Sequence, residues 1–343
     1  MFFSICIAVY NAEKYLRDGV ESIFSQDFDD YEIILINDAS TDNSGAVCDS
    51  LASEHPGKVR VIHHFENMGS LLARRAFYYA AKGEWLLAAD ADDKLNDGAL
   101  KKLYSLISEY DCDLILYDLD CYHMNGSVEK FTVELKDRYV YCGDEKKLVY
   151  EQIQENNYLN SLCTKAIHRS LIDYEVDYMP WKGMSFGEDI FQSYPIFDRA
   201  ERILYLKESL YSYIKRTEAS TTKWHDDWYK NRRTLWLRDC EYRKKWQMGE
   251  KTEEKAVSRY IKTMVSYLDR QYLRTPDFKM MVEWYENYYR DGDIAKCLEN
   301  AAKLNKRYRL YAKSIVKHRF RFLHFNQKLF FAALKLKGKS VKR

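Results

Sequence analysis

Short apolar runs alternate with segments of helical periodicity along the first 118 residues. The runs are Ser4–Val9, Glu32–Ile36, Val59–His63, Glu84–Ala89 and Asp113–Tyr117. Between the first two runs, Leu16, Val20 and Ile23 recur at the spacing of one helix face, and Gly69 to Gly83 predicts a further helix that Gly83 terminates. Nearly continuous apolar strands are typical of sheets covered on both faces. The pattern therefore predicts an α/β fold with a mostly parallel central sheet and flanking helices.

The pattern becomes less regular beyond residue 118. Residues 119–221 are rich in tyrosine and hold two short apolar runs, Ile203–Leu206 and Leu210–Ile214. From residue 222 the chain is charged and follows a helical pattern to its basic end. We therefore predict three segments, 1–118, 119–221 and 222–343, of which the last is a helical C-terminal region.

Composition narrows the class of protein without identifying it. The 343 residues are 46% apolar and 15% aromatic, which suffices for a substantial core. No apolar stretch reaches the roughly 18 residues of a membrane-spanning helix, and Met1–Tyr10 fits a first strand better than a signal peptide. The eight cysteines form no CxxC pair, so we expect neither a zinc cluster nor a disulfide framework. These features favour a cytoplasmic protein.

The charged residues are unevenly distributed. The net charge is +2, but residues 301–343 hold 14 Lys or Arg and no Asp or Glu, so the first 300 residues carry −12. Phe and Leu interleave with the basic residues of this tail, a composition that suits an interfacial helix on an anionic leaflet. Nucleic-acid binding and packing against the acidic body are the alternatives. We favour peripheral contact with the inner face of the plasma membrane and expect no nucleic-acid partner.

Polar and acidic residues follow four consecutive predicted strands. They are Ala8–Asn11, Asn37–Asp42, Glu66–Gly69 and Asp90–Asp93. The carboxyl ends of parallel strands lie at one edge of the sheet, where ligands bind, so these groups are expected to form a site. Neither of the glycine-rich phosphate loops, GxGxxG or GxxxxGKS/T, is present. The predicted site offers carboxylates in place of such a loop.

Those carboxylates point to a divalent cation. Because a carboxylate cannot approach a diphosphate without an intervening cation, Asp90 and Asp92 predict Mg²⁺ or Mn²⁺ on a phosphorylated substrate. The plainer interpretation is that residues 90–93 only begin the next helix, where the helix dipole favours acidic side chains. Since Asp38 and Asn67 are expected at the same edge of the sheet, a binding site is the better interpretation.

The ordered set of strand-end motifs resembles the family 2 glycosyltransferases, which have the GT-A fold and are typically inverting. The motifs are Ala8–Asn11, Asn37–Asp42, Glu66–Gly69 with Ala73 and Arg74, and Asp90–Asp93. Ala39 stands where the family usually has glycine. The resemblance is strong over residues 1–118, weaker to residue 222 and absent beyond. It implies that 1–118 binds the nucleotide-sugar and that 119–221 binds the acceptor and carries the base.

The resemblance also implies individual roles in binding the donor. The residues concerned are Ala8, Tyr10, Asp38, Asn67, Arg74, Asp90 and Asp93, with Asp92 as the principal metal ligand. Ala8 and Tyr10 would border the nucleotide base, and Asp38 would accept a hydrogen bond from it. Asp92, together with Asp90, would hold the metal that bridges the diphosphate. Asp90 would also face the ribose and the donor sugar.

The remaining roles concern transfer itself. Gly187–Phe191 resembles the Glu-Asp segment of the family, which makes Asp189 the base and puts Glu188 near the donor or acceptor, with Asp93 near the sugar. An ordinary acidic helix start is the alternative for this segment. The stretch from Tyr211 to Arg216, followed by Ser220, resembles the Tyr-x-Tyr-x-x-Arg…Ser stretch of the family. Arg216 would then stabilise the departing diphosphate.

We therefore predict an inverting glycosyltransferase. It would move a hexosyl or N-acetylhexosaminyl group from a nucleotide-sugar, by family habit a UDP-sugar, to a hydroxyl of a glycan or lipid-linked acceptor. The expected products are bacterial surface polysaccharides or glycoconjugates, and a homo-oligomer is left open. The alternatives are a catalytically silent nucleotide-sugar-binding module, a nucleotidyltransferase, which usually carries a Gly-rich loop with a Lys, and a nucleic-acid-binding protein that rests on the tail alone.

Overall fold

The computed structural model of the chain describes residues 1–184, 186–216, 227–290 and 306–336. Contacts between residues divide the chain into two compact units, Met1–Gln247 and Met248–Arg343. The first unit holds the sheet and the second unit is helical in its described part. The α/β class with a helical C-terminal region, predicted from the sequence, is confirmed. The three-segment division stays a prediction.

Strands and helices alternate through the first half of the first unit. The strands are β1 (Phe3–Val9), β2 (Tyr31–Asn37), β3 (Val59–His63), β4 (Trp85–Asp90), β5 (Lys94–Leu95), β6 (Leu114–Tyr122), β7 (Val128–Phe131), β8 (Tyr139–Cys142), β9 (Lys165–His168) and β10 (Arg202–Ile214). The helices are α1 (Leu16–Phe24), α2 (Ser44–Glu54), α3 (Ser70–Ala80), α4 (Ala99–Glu109), α5 (Lys146–Glu155), α6 (Asp189–Arg199) and α7 (Trp228–Lys245). The two apolar runs predicted between residues 203 and 214 belong to one long strand, β10.

The sheet is mostly parallel, as expected. Its strand order is β3-β2-β1-β4-β9-β6-β10-β5, with β7 beside β6 and β8 beside β10. Strands β1 to β4 pair in parallel, and β6 pairs in parallel with β10. Strand β9 lies antiparallel between β4 and β6, so β4 and β6 run in the same direction on either side of it. The carboxyl ends of these strands consequently lie along one edge of the sheet, which we call the rim.

Burial follows the apolar pattern of the sequence. Every residue of β2 is buried, and in β1 only Ala8, next to the rim, is partly open. Leu16, Val20 and Ile23, which recur on one face of α1, are all buried in the main core. Burying such side chains stabilises the fold by about 1.5–3 kcal/mol each. The sheet is therefore covered by helices in the way that continuous apolar strands require.

Gly83 has a different role from the one its position suggests. Helix α3 ends at Ala80, and Gly83 lies beyond it in the link to β4. A Cβ atom at Gly83 would lie 2.5 Å from the backbone nitrogen of Ser4 and 2.6 Å from the carbonyl carbon of Phe3. Glycine is needed here because this link passes against the backbone of β1, and not as the helix stop expected from the sequence.

The second unit consists of helices in its described part. They are α8 (Glu250–Arg274), α9 (Phe278–Arg290), α10 (Lys306–Val316) and α11 (Phe320–Leu336). The buried carboxylate of Asp269 connects three of them, because it accepts hydrogen bonds from Tyr311 at 2.5 Å and from Arg307, and from Gln327 at 3.4 Å. In the described part of the chain, no helix combines the length and apolarity needed to cross a membrane.

Candidate active site

The strand ends lie side by side at the rim, as the parallel pairing requires. Ala8 of β1 is in register with Asp90 of β4, and Val9 is in register with Asn37 of β2. Tyr10 follows directly and leaves 50% of its surface exposed. The sheet therefore brings these sequence-predicted residues of the donor site to one edge, although the strands that carry them are far apart in the sequence.

Asp38 holds the neighbouring loop in place. Its carboxylate is buried and accepts the backbone N–H groups of Met68 at 2.9 Å and Gly69 at 2.7 Å. Nδ1 of His64 lies 2.7 Å from Asp38 Oδ1. Asn67, within this loop, is consequently fixed at the rim and is exposed. The Asp38 side chain is only 4% exposed, and its contact with a nucleotide base stays a prediction.

At the rim, hydrogen bonds join the loop after β1 to the loop after β2, and each loop contains a residue with strained backbone. Asn11 and Ala39 both adopt the left-handed region, with φ of +52° and +54°. The side-chain oxygen of Asn11 accepts a hydrogen bond from the backbone N–H of Thr41 at 2.8 Å, and the backbone N–H of Asn11 donates to Ser40 Oγ at 3.1 Å. Asparagine tolerates this conformation well and alanine does not. The position at which the family usually has glycine is thus one where the backbone favours glycine.

Arg74 joins the two halves of the candidate site. It is buried in α3, and its guanidinium pairs with the carboxylate of Asp189 at the start of α6. The same guanidinium lies 3.3 Å from Oδ1 of Asp90 at the end of β4. Burial opposes its charge, but the two carboxylates hold the pKa of Arg74 well above its usual value. One cation therefore lies between the predicted metal ligand and the predicted base.

Glu188 is held beside Asp189 by a second contact from α3. Its carboxylate accepts the hydroxyl of Ser70 at 2.5 Å. Burial raises the pKa of Glu188, and the charge of Asp189 raises it further, while Arg74 opposes both effects. The two acidic residues that the sequence placed at a helix start are thus both held in the site by α3.

Asp93 is buried and connects the loop of residues 90–93, which we call the aspartate loop, to β10. Its carboxylate accepts the hydroxyl of Tyr211 at 3.0 Å and the N–H of Ile214 at 2.8 Å. The Tyr211 hydroxyl in turn accepts the backbone N–H of Asp90 at 2.9 Å. Desolvation, together with the negative charge of Asp90, raises the pKa of Asp93 to about 8. Asp93 therefore positions the loop, and its nearness to a donor sugar stays a prediction.

Asp92 lies at the open side of the same loop. Its side chain is 36% exposed, and Arg216 Nε lies 3.4 Å from its carboxylate. Arg216 also donates to the backbone carbonyl of Asp92 at 2.9 Å, and its guanidinium lies 3.7 Å from the centre of the Tyr15 ring. The structure thus places Arg216, which is predicted to stabilise the departing diphosphate, next to Asp92, the predicted metal ligand. Ser220, the last member of that motif, lies outside the described residues.

The residues at the rim fit a hard divalent cation. Surrounding atoms desolvate part of the Asp90 carboxyl group and raise its pKa; Arg74 opposes this shift, and the nearby charges of Asp189 and Asp92 add to it. The Asp90 side chain nevertheless stays 43% exposed, so a ligand can reach it. Carboxylate oxygens are the ligands that Mg²⁺ and Mn²⁺ prefer, and a cation would relieve the repulsion between them.

Sequence reasoning missed a buried lysine beneath the site. Lys165 begins β9, and its ammonium donates to the backbone carbonyls of Leu159 and Ser161. Complete burial lowers the pKa of Lys165 to about 7, although the charge of Asp189 opposes this shift. Its two hydrogen bonds fix the segment that precedes β9. No local signal marks this lysine, because only the fold shows that it is buried.

Comparison with known proteins identifies a family and several relatives. Residues 4–174 match the family described as Glycosyl transferase family 2. The chain is 28% identical to the glycosyltransferase GlyG of Streptococcus pneumoniae serotype 4 over 221 residues, which are 62% of this chain and 71% of GlyG. It is 24% identical to the minor teichoic acid biosynthesis protein GgaB of Bacillus subtilis over 66% of this chain and 25% of GgaB. The chain thus spans only a quarter of GgaB.

A solved structure extends the likeness over the whole chain. S. aureus TarS 1–349, solved in complex with UDP-GlcNAc, matches with a TM-score of 0.68 and 18% sequence identity. The match covers 100% of this chain and 93% of that chain. At this identity the likeness concerns the fold, and it includes the helical region that follows the sheet.

Proposed function

Because this chain belongs to the family 2 glycosyltransferases, we propose that it moves a sugar from a nucleotide-sugar to a hydroxyl group with inversion at the anomeric carbon. The observation that carries this proposal is the Arg74 guanidinium, which pairs with both Asp90 and Asp189. A donor-binding carboxylate and a candidate base thereby share one small volume. That closeness is what a direct displacement requires.

The proposed donor is a UDP-sugar that carries a hexosyl or N-acetylhexosaminyl group. The likeness in fold to TarS, which was solved with UDP-GlcNAc, supports this choice. Ala8 and Tyr10 would border the base, with Asp38 and Asn67 on the neighbouring loops. Asp93 would keep the loop that faces the sugar in place through Tyr211.

Asp92, with Asp90, would hold Mn²⁺ or Mg²⁺ against the diphosphate. When bound, such an ion neutralises the negative charge that builds up on the diphosphate as the sugar leaves. Arg216 would add a second positive charge at the same place, since it already lies beside Asp92. Its contact with the Tyr15 ring keeps the guanidinium oriented toward the rim.

Asp189 would act as the base. Its carboxylate would accept the proton of the acceptor hydroxyl as that oxygen bonds to the anomeric carbon and the diphosphate departs from the opposite face. Arg74 would hold the carboxylate in place, and Glu188, fixed by Ser70, would contact the donor or acceptor. A single base with one displacement inverts the configuration.

The proposed acceptor is a glycan or a lipid-linked intermediate of a bacterial surface polymer. The teichoic acid protein GgaB supports this choice of polymer. Helix α11, the last described helix along the chain, supports a membrane-associated acceptor, because its exposed apolar side chains recur on one face. These are Phe322, Phe325, Leu329 and Leu336, with Arg321, Lys328 and Lys335 as exposed basic residues on the same helix.

The experiment is a screen of nucleotide-sugars for Mn²⁺-dependent hydrolysis and transfer, repeated with three variants. Asp189→Asn should still bind donor, yet lose transfer by about 10²–10⁴-fold, because the proton acceptor is gone. Asp92→Ala should lose metal-dependent donor binding. Asp111→Asn, an exposed change away from the rim, is the matched control and should behave as the wild type.

Two outcomes would contradict the proposal. Full turnover in the presence of a chelator would show that the reaction does not require a metal ion. A normal transfer rate for Asp189→Asn would remove that residue from the role of base. Donor binding without any hydrolysis or transfer across the whole panel would instead support a silent binding module.

A further inference from the structure

The hairpin formed by β6 and β7 gathers three metal-ligating side chains away from the aspartate loop. Cys121 lies in β6, His123 directly follows the last residue of that strand, and Glu129 is directly opposite Cys121 in β7. Successive side chains of a strand alternate between faces, and directly opposed residues share a face. The pairing of the strands therefore places all three groups on one face of the hairpin.

Their ligand atoms lie within reach of a single ion. The Cys121 sulfur, a ring nitrogen of His123 and a carboxylate oxygen of Glu129 all lie within 4.8 Å of one another. His123 Nε2 lies 3.8 Å from the sulfur and 3.2 Å from Glu129 Oε2. Within the part of the chain that the structure describes, this is the one cluster of three such groups with this spacing.

The turn that follows β6 keeps His123 in place. His123 N–H donates to the carbonyl of Ser127 at 2.9 Å, and Gly126 N–H donates back to the carbonyl of His123 at 2.9 Å. The side-chain oxygen of Asn125 accepts both the N–H and the hydroxyl of Ser127, at 3.0 and 2.7 Å. A ligand set on a closed, hydrogen-bonded turn loses little freedom when it binds an ion.

We propose that Cys121, His123 and Glu129 form a zinc site, in contrast to the expectation from the sequence, which considered only the spacing between cysteines. Zn²⁺ favours a tetrahedral set of thiolate, imidazole and carboxylate ligands, whereas Mg²⁺ and Mn²⁺ prefer oxygen alone. Three protein ligands leave a fourth position for water. Binding releases the thiol proton of Cys121 to solvent as the sulfur–zinc bond forms. The chemistry thus separates this site from the carboxylates at the rim.

The zinc site would stabilise the strand end that supports Arg216. Tyr122 follows Cys121 and is in register with Ile214 of β10, and its carbonyl accepts the N–H of Lys215 at 2.9 Å. Arg216 is the next residue along the chain. An ion that clamps the hairpin would therefore restrain β10 where it leads to Asp92, and it would stabilise the folded protein by mass action.

Cobalt titration of the full-length, metal-free protein tests this site. Co²⁺ bound to a thiolate gives a near-ultraviolet charge-transfer band, and Zn²⁺ should abolish that band at one equivalent. Cys121→Ser should remove the band, whereas Cys142→Ser, the matched change at an exposed cysteine, should keep it. Asp92→Ala should also keep it, which separates this site from an ion at the rim.

A second variant guards against loss of folding. Glu129 is largely exposed, so Glu129→Gln should leave the circular dichroism spectrum unchanged while it weakens Co²⁺ binding by about tenfold or more. The proposal is overturned if Co²⁺ gives no thiolate band with the wild type, or if the band persists in Cys121→Ser. Unchanged affinity in Glu129→Gln would remove the carboxylate from the ligand set.

Discussion

Single residues at the rim carry more strain than their chemistry suggests, and Ala39 is the clearest case. Its φ of +54° is a conformation that costs an L-residue about 1–2 kcal/mol. We expect Ala39→Gly to stabilise the protein by about 1 kcal/mol, since relief of this strain exceeds the added entropy of glycine in the unfolded chain. Urea-induced unfolding measures the difference.

The same substitution in a helix should have the opposite sign. Ala52 lies within α2, where glycine costs about 1 kcal/mol relative to alanine. Ala52→Gly should therefore destabilise the protein by that amount. Equal destabilisation of both variants would show that Ala39 does not adopt the left-handed conformation.

The buried carboxyl of Asp93 makes stability depend on pH. In the unfolded chain this group ionises near pH 4, whereas in the folded protein its pKa is about 8. The folded state keeps a proton that the unfolded state has lost, so stability falls by about 1.4 kcal/mol per unit as pH rises through this window. Asp93→Asn cannot ionise and should gain about 2.7 kcal/mol relative to the wild type between pH 5 and pH 7.

Urea unfolding at the two pH values measures that gain. Asp97→Asn, an exposed residue just beyond β5, is the control, and its difference in stability from the wild type should be the same at both pH values. A constant difference between Asp93→Asn and the wild type would show that the Asp93 carboxyl ionises normally in the folded protein.

The sequence suggested candidate site residues but not the contacts that hold them. Asp90, Asp92 and Asp189 could be proposed because each belongs to a short local motif, and their roles stay predictions. The link through Arg74 could not, since it joins residues 115 positions apart and depends on how α3 packs beside α6. The burial of Lys165 could not be predicted either, because it also depends on how distant segments of the chain pack together.

At the scale of elements, the close passage of the α3–β4 link against β1 should be sensitive to a single methyl group. Gly83→Ala would place a Cβ atom 2.5 Å from a backbone atom of Ser4, and neither backbone can yield without disturbing β1 and β4. We expect a loss of about 3 kcal/mol in unfolding free energy, measured with urea.

Gly249→Ala is the matched control for Gly83→Ala. A Cβ atom there would meet nothing within 4 Å, and its φ is ordinary. The change should cost no more than about 1 kcal/mol, the cost of replacing glycine by alanine at the N-cap of α8. Equal stability of the two variants would mean that the link does not pass as close to β1 as described.

Most elements of the first half follow from periodicity alone. Strand β3 matches its predicted run, β1 differs from its run by one residue at one end, and β2 and β4 differ by one residue at both ends. Strand β9 was not predicted, because its four residues have no apolar alternation of their own. It enters the sheet between β4 and β6 from a distant part of the chain, and local sequence contains no information on such an insertion.

At the scale of the whole molecule, the uneven charge predicts where the protein binds. The basic end of the chain carries α11, whose exposed apolar face suits the interface of an anionic membrane. We expect co-sedimentation with vesicles that contain anionic lipid and little with neutral vesicles. Leu329→Glu should weaken this binding by about tenfold, because it puts a negative charge on the apolar face.

Leu148→Glu provides the comparison for that change. Leu148 and Leu329 are similarly exposed, at 51% and 53%, and Leu148 lies on α5, far from the tail in sequence. Its replacement should leave vesicle binding unchanged. Equal binding by the wild type and Leu329→Glu would discard the membrane proposal while leaving the donor chemistry untouched.

The shared pairing of Arg74 has a consequence for how substrate affinity and turnover vary together. If Asp90 serves the donor and Asp189 serves the acceptor, both depend on one counterion, and neither can be altered without changing the electrostatic environment of the other. Double-mutant cycles between those two aspartates should then be strongly non-additive. Selection for a new acceptor would therefore also lower donor affinity. We expect this enzyme to change its specificity through the loops around Arg74 before Arg74 itself is replaced.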